Sequence, residues 1–152
     1  MSSTRSRPWQ ELRREMAVSP ARAFGTLYRR YQEAANASYG ERGWKRLTLS
    51  HVQFLAETDE AGTRLSDVAT ALKTTKQYVG KLARDMVVKR LVTLAVDPAD
   101  RRAMLVRPTE RGRAFFQDAC EIRGELEDRF LGQLSPSRRK AFIAALEELI
   151  RR

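Results

Sequence analysis

The chain is short of the residues that carry redox, metal or covalent chemistry. Its 152 residues include one cysteine, Cys120, and one histidine, His51. A lone cysteine forms no internal disulfide, and without a Cys/His cluster there is no zinc-ligand spacing, so neither a metal nor a cofactor is expected. There is no glycine-rich phosphate loop, and the histidine and the cysteine lie far apart in sequence, so the chain does not read as an enzyme. No apolar run is long enough for a signal peptide or a membrane span, which points to a cytoplasmic protein with no membrane partner. Acidic residues are also scarce: 19 against 29 Lys and Arg, a net charge of +10. That balance points to an anionic partner, most often nucleic acid; the plainer alternative is a basic, soluble surface.

What is present is helical periodicity interrupted once by strand pattern. Residues 1–18 begin basic and polar and read as a flexible arm, with a short helical stretch at Glu11–Met16. Ser19-Pro20 suits a helix start, and Phe24, Leu27, Tyr28 and Tyr31 recur at helical spacing until Gly40 and Gly43 break the pattern. A helix begins near Thr48 or Ser50 with Val52, Phe54 and Leu55. A short one covers Leu65–Leu72. Another, Thr75–Val88, is capped by Thr74 or Thr75 and buries Val79, Leu82, Ala83 and Met86. Two strand-type runs follow, Leu91–Val96 and Ala103–Val106, joined by Asp97-Pro98-Ala99-Asp100-Arg101-Arg102. Pro108-Thr109 opens a long helix with the stripe Phe115, Ala119, Ile122, Leu126 and Phe130. Leu134-Ser135-Pro136 breaks it and starts a last helix with Phe142, Leu146 and Leu149.

This order predicts one mainly α domain with a small β-wing (α+β) over 19–152. Its middle, 46–108, reads as a winged helix-turn-helix, with N-terminal (19–45) and C-terminal (109–152) dimerisation helices. Phe115, Phe116, Ile122, Phe130, Phe142, Leu146 and Ile150 give those ends more apolar surface than a small module hides alone. The plainest partner is a second copy of the chain; the alternative is that the helices fold back on their own domain. From Lys73 to Arg113 there are eleven basic residues against four acidic ones, so the excess charge clusters on the helix and wing.

The run Leu65-Ser66-Asp67-Val68-Ala69-Thr70-Ala71-Leu72-Lys73-Thr74-Thr75-Lys76 resembles the helix-turn-helix of MarR-family transcriptional regulators. Asp97 to Ala103 followed by Pro108-Thr109-Glu110-Arg111-Gly112 resembles that family's wing and the helix after it, and the likeness extends over roughly residues 20–150. Arg90 stands where such proteins usually have a glycine before the first wing strand. The resemblance implies a homodimer on pseudo-palindromic double-stranded DNA, usually a repressor, released in many members by a small aromatic or lipophilic effector. The alternative is a winged-helix protein-interaction module, with altered or lost DNA specificity, that docks an acidic partner on its basic face.

On the helix expected to read DNA, Gln77, Lys81 and Arg84 lie farthest from the apolar stripe, with Lys76 and Tyr78 on its flanks. Gln pairs with adenine, and Lys or Arg with guanine or phosphate. With the cap Thr75 and the wing residues Arg101 and Arg102 these form the candidate DNA contacts. Asp100 would repel phosphate and is read as orienting Arg102. The aromatic residues Tyr28, Tyr31, Tyr39, Trp44 and Phe54, with His51, gather around the first two helices. They are either plain core or, at Tyr28, Tyr31, Trp44, His51 and Phe54, the ligand pocket the resemblance implies. Cys120 is read as a buried inert thiol rather than an oxidant sensor.

Overall fold

A computed structural model describes residues 7–151. The element order is α1 (Trp9–Ala17), α2 (Pro20–Glu41), α3 (Leu49–Ala56), β1 (Thr63–Arg64), α4 (Leu65–Ala71), α5 (Lys76–Val88), β2 (Val92–Asp97), β3 (Asp100–Pro108), α6 (Glu110–Leu131) and α7 (Pro136–Ile150). The mainly α reading with a small wing is what the chain adopts. The strand assignments fall short at both ends: β2 includes Asp97, and β3 runs from Asp100 to Pro108 rather than over Ala103–Val106 alone.

The sheet has the order β1-β3-β2, all antiparallel. Val92 lies opposite Pro108 and Val96 opposite Met104, so β2 and β3 form the wing hairpin. Thr63 lies opposite Val106 on the other edge of β3. The two-residue strand β1 was not expected from the sequence.

Helix ends follow local chemistry. Thr75 caps α5 by accepting the Tyr78 N–H at 3.1 Å, and Thr109 caps α6 by accepting the Gly112 N–H at 3.0 Å. Pro20 and Pro136 open α2 and α7, although Ser19 and Ser135 make no side-chain capping bond. Three helices end in the same C-terminal motif, in which the residue past the cap turns left-handed and two N–H groups reach back to the last carbonyls. After α2 that residue is Gly43 (φ 89°), but after α4 it is Lys73 (φ 50°) and after α5 it is Arg90 (φ 59°). At Arg90 the paired bonds are Arg90 N–H to Val87 O and Leu91 N–H to Met86 O, both 2.9 Å.

The core joins the scaffold helices to the winged lobe through Phe54, Val68, Val79, Met86, Leu91, Val106, Phe115 and Ile122, all fully buried. Helix α6 packs on α2 and α3, and α5 packs on α4 and β2. Phe115 and Ile122, expected to need a partner surface, are covered within their own chain, because α2 and α3 close over that stripe. Phe116, Phe130, Phe142 and Leu146 are half-buried and Ile150 is exposed. Helix α7 has no buried residue, and neither has α1. Residues 1–6 of the stretch read as an arm lie outside the described residues; the rest of it carries α1, longer than the helical stretch expected.

Candidate nucleic-acid interface

The α5 surface follows from its stripe. Val79, Ala83 and Met86 are buried against the lobe, which turns Lys76, Gln77, Tyr78, Lys81 and Arg84 outward, all exposed. Tyr78 is 45% exposed although it is one of the larger apolar side chains of the lobe. The Thr75 hydroxyl is engaged as the helix cap through its oxygen, which leaves its proton available to an acceptor.

The wing tip is built from two aspartates with different tasks. Asp97 is 5% exposed, and its carboxylate accepts the Ala99 N–H at 2.9 Å and the Arg64 guanidinium at 2.7 Å. The Ala99 N–H and then Arg64 hold its carboxyl below the usual carboxylate range. The pair ties the wing to the segment leading into α4. Asp100 is exposed and accepts the Arg102 backbone N–H at 3.0 Å. It therefore fixes the turn rather than the Arg102 guanidinium, which together with Arg101 stays exposed.

Arg64, Lys76, Asp100, Arg102 and Met104 line one groove between the start of α5 and the wing, so the helix and the wing present cations to a common channel. The basic residues of 73–113 divide into two groups. Lys89 is paired with Asp85, Arg113 lies 3.2 Å from Glu60, Arg107 donates to the Ala61 carbonyl, and Arg111 sits 5.0 Å over the Trp44 ring. By contrast Lys73, Lys76, Lys81, Arg84, Arg90, Arg101 and Arg102 have no ion-pair partner among the described residues. Four of the cations counted from the sequence are thus engaged inside the protein.

The residues considered for a ligand pocket are scattered. Phe54 is core, and Tyr28 is exposed. Tyr31 packs against Phe130 with ring centroids 6.0 Å apart. Trp44 donates its indole N–H to Asp118 at 2.5 Å and packs on Phe115. Burial pushes the neighbouring Tyr39 hydroxyl up to about 12, so it stays un-ionised at neutral pH. A groove between α2 and α6 is lined by Arg30, Glu33, Ala34, Arg129, Phe130 and Gln133 and by none of these five residues. Cys120 is exposed, not buried as expected: it stands one residue past Ala119, and a helical step of about 100° takes it off the stripe.

His51 is buried at 5%, with both ring nitrogens engaged. Nδ1 accepts the Thr48 N–H at 3.0 Å, so the ring proton sits on Nε2, which donates to Asp85 at 2.8 Å. Asp85 also accepts from Lys89, and Lys89 first and His51 second hold its carboxyl below the usual range. Neither this link nor the Arg64–Asp97 pair was visible from sequence, because their members stand 34 and 33 residues apart.

No protein of curated function matches the chain in sequence. Solved structures match it closely in shape. The S. aureus MepR–DNA complex is 21% identical and superposes with a TM-score of 0.75 over 88% of this chain and 97% of that one. Bordetella bronchiseptica BpsR, whose DNA binding is regulated by 6-hydroxynicotinic acid, is 22% identical with a TM-score of 0.73 over 88% and 94%. Wild-type MarR from E. coli is 18% identical with a TM-score of 0.68 over 88% and 95%. At these identities the likeness establishes the fold. In sequence, residues 47–103, the winged lobe, match the MarR family, and that lobe is set among helices arranged as in these structures.

Proposed function

We propose that the protein is a transcriptional regulator that binds double-stranded DNA as a homodimer, with α5 in the major groove and the wing arginines on the adjacent backbone or minor groove. The observation that carries this reading is the set of seven unpaired cations on α5, its flanking turns and the wing, where Lys76 and Arg102 share one groove. Gln77, Lys81 and Arg84 are placed to meet base edges, while Lys76, Tyr78, Arg101 and the Thr75 hydroxyl serve the backbone. The MepR relative was solved on DNA, which supports the same use of this fold.

A second copy is supported by the apolar surface the single chain leaves open. Phe24, Leu27, Tyr28, Ile143, Leu149 and Ile150 are exposed, and a helix with no buried residue, like α7, gains its stability from packing. Two copies would present two α5 helices to two half-sites. Repression, residence in the cytoplasm and release by a small aromatic effector belong to the same proposal. Among the described residues no helix is long and apolar enough to cross a membrane. Effector release is supported by the BpsR relative alone.

The test is selection of duplexes from a random pool by the purified protein, followed by titration of the recovered sequence. A pseudo-palindromic site is expected, with affinity falling steeply as salt rises. Arg102→Ala should weaken binding about tenfold or more, a loss of about 1–3 kcal/mol, without lowering the melting temperature. No enrichment of any sequence, or unchanged affinity in Arg102→Ala, refutes the interface.

A further inference from the structure

We propose that His51 and Asp85 form a strut that sets the rotation of α5 about its own axis, making His51 a positioning residue for DNA discrimination. The inference rests on the DNA-binding reading above and adds to it the residue pair by which the scaffold holds the reading helix.

Helix α5 packs on α4 and β2, whereas α3 packs on α2 and α6. Among the described residues the His51–Asp85 hydrogen bond, 2.8 Å, is the one side-chain hydrogen bond between α3 and α5. Both of its ends are fixed. The His51 ring is held by the Thr48 N–H and hydroxyl, 3.0 and 2.8 Å from Nδ1, and the first turn of α3 is held from α2 by Asn36, which accepts the Leu49 N–H at 2.9 Å. At the other end Asp85 is also bonded to Lys89, one turn along α5. A continuous polar path therefore runs from α2 through the N-terminus of α3 to α5.

The buried stripe of α5 is Val79, Ala83 and Met86, with Leu82 partly buried beside it: aliphatic groups and one flexible thioether. Such a stripe restrains tilt better than roll, because apolar contact is non-directional. A directed, charge-assisted hydrogen bond supplies the missing angular restraint. Base readout needs that restraint, since Gln77, Lys81 and Arg84 must meet donor and acceptor patterns within bonding distance.

Asp85 is also the one acidic residue of α5. Charge alone therefore predicts that removing it tightens binding to any duplex. The strut makes a different prediction for the ratio of affinities for a selected and a scrambled duplex of equal length. The experiment measures that ratio for the full chain, for His51→Ala, Asp85→Ala and the double variant, each confirmed folded by circular dichroism. His51→Gln, which keeps an acceptor for the Thr48 N–H, replaces His51→Ala should the latter not fold. The ratio should fall about tenfold in each single variant. The double variant should fall no further than the worse single one, because either change breaks the same link. In Asp85→Ala the scrambled duplex should bind more tightly while discrimination drops. Ratios within twofold of the parent, or a double variant whose loss is the product of the single losses, overturn the strut. Failure of the parent chain to select any sequence overturns the DNA reading itself, a separate outcome.

Discussion

Replacing Gly112 by alanine should destabilise the protein, although helix propensity alone predicts the reverse. Gly112 lies in the first turn of α6, where alanine gains up to about 1 kcal/mol over glycine. A Cβ at that position, however, would stand 2.0 Å from the Leu91 carbonyl oxygen and 3.0 Å from its carbon. Leu91 has little freedom to withdraw. Its side chain is fully buried, its N–H is bonded to Met86 O at 2.9 Å, and its carbonyl accepts the Thr109 N–H at 2.9 Å and the Thr109 hydroxyl at 3.0 Å. Overpacking of this kind costs about 1–3 kcal/mol, and displacing the Leu91 carbonyl weakens two hydrogen bonds worth about 1 kcal/mol each. The net loss is about 2–4 kcal/mol, or a melting temperature lower by roughly 5–12 °C. Gly80→Ala is the control, since a Cβ there meets only the Arg84 guanidinium at 3.7 Å. That variant should gain up to about 1 kcal/mol and melt a few degrees higher. Both are read by thermal and guanidinium unfolding at neutral pH. A Gly112→Ala protein that melts at or above the parent temperature refutes the argument from close approach.

Three further outcomes are expected. Arg90→Gly should raise stability by about 1 kcal/mol in guanidinium unfolding, because the left-handed backbone at φ 59° strains any residue with a Cβ; the same variant, one cation poorer, should show a shallower salt dependence of DNA binding. Asp97 and Asp85 both have lowered carboxyl values when folded, so the stability they contribute is present above the unfolded value of about 3.9 and is lost as pH falls through the folded values. The unfolding midpoint should therefore drop steeply from about pH 5 downward, and Asp97→Asn should start lower at pH 7 and drop less; an identical pH profile for that variant would exclude Asp97 as a source of the acid sensitivity. Ile143→Glu with Leu149→Glu should yield a monomer by sedimentation, since both positions are exposed and apolar on α7; an undisturbed dimer would place the interface elsewhere.

Much of this architecture is legible in the sequence because it is local. The spacing of Val79, Ala83 and Met86 defines the inner face of α5, and Thr75 and Thr109 announce the starts of α5 and α6 by side-chain chemistry within one turn. Pro98 between two aspartates marks the hairpin tip. What escaped has no local signal. The strand Thr63–Arg64 exists because β3 offers it a free edge some forty residues later in the chain. Two aspartates flank the wing turn, and composition gives no reason to bury Asp97 and expose Asp100; the partner that decides it, Arg64, is remote. His51 stands among the pocket residues that the resemblance implies, and its partners in the fold are a backbone N–H three residues back and an aspartate on another helix. Charge counting overstated the interface in part for the same reason, since Arg107, Arg111 and Arg113 meet acceptors that only the fold brings near, while Lys89 pairs with Asp85 one turn back on the same helix.

The first and last helices, which bury nothing of their own, have a consequence for how the protein behaves on dilution. In the proposed dimer those segments settle only when two molecules meet, so mass action enters the folding equilibrium itself. Heat resistance should climb with micromolar concentration, and a cell making few copies would hold some of them with loosened ends. Abundance would then tune how much competent protein exists before any signal arrives.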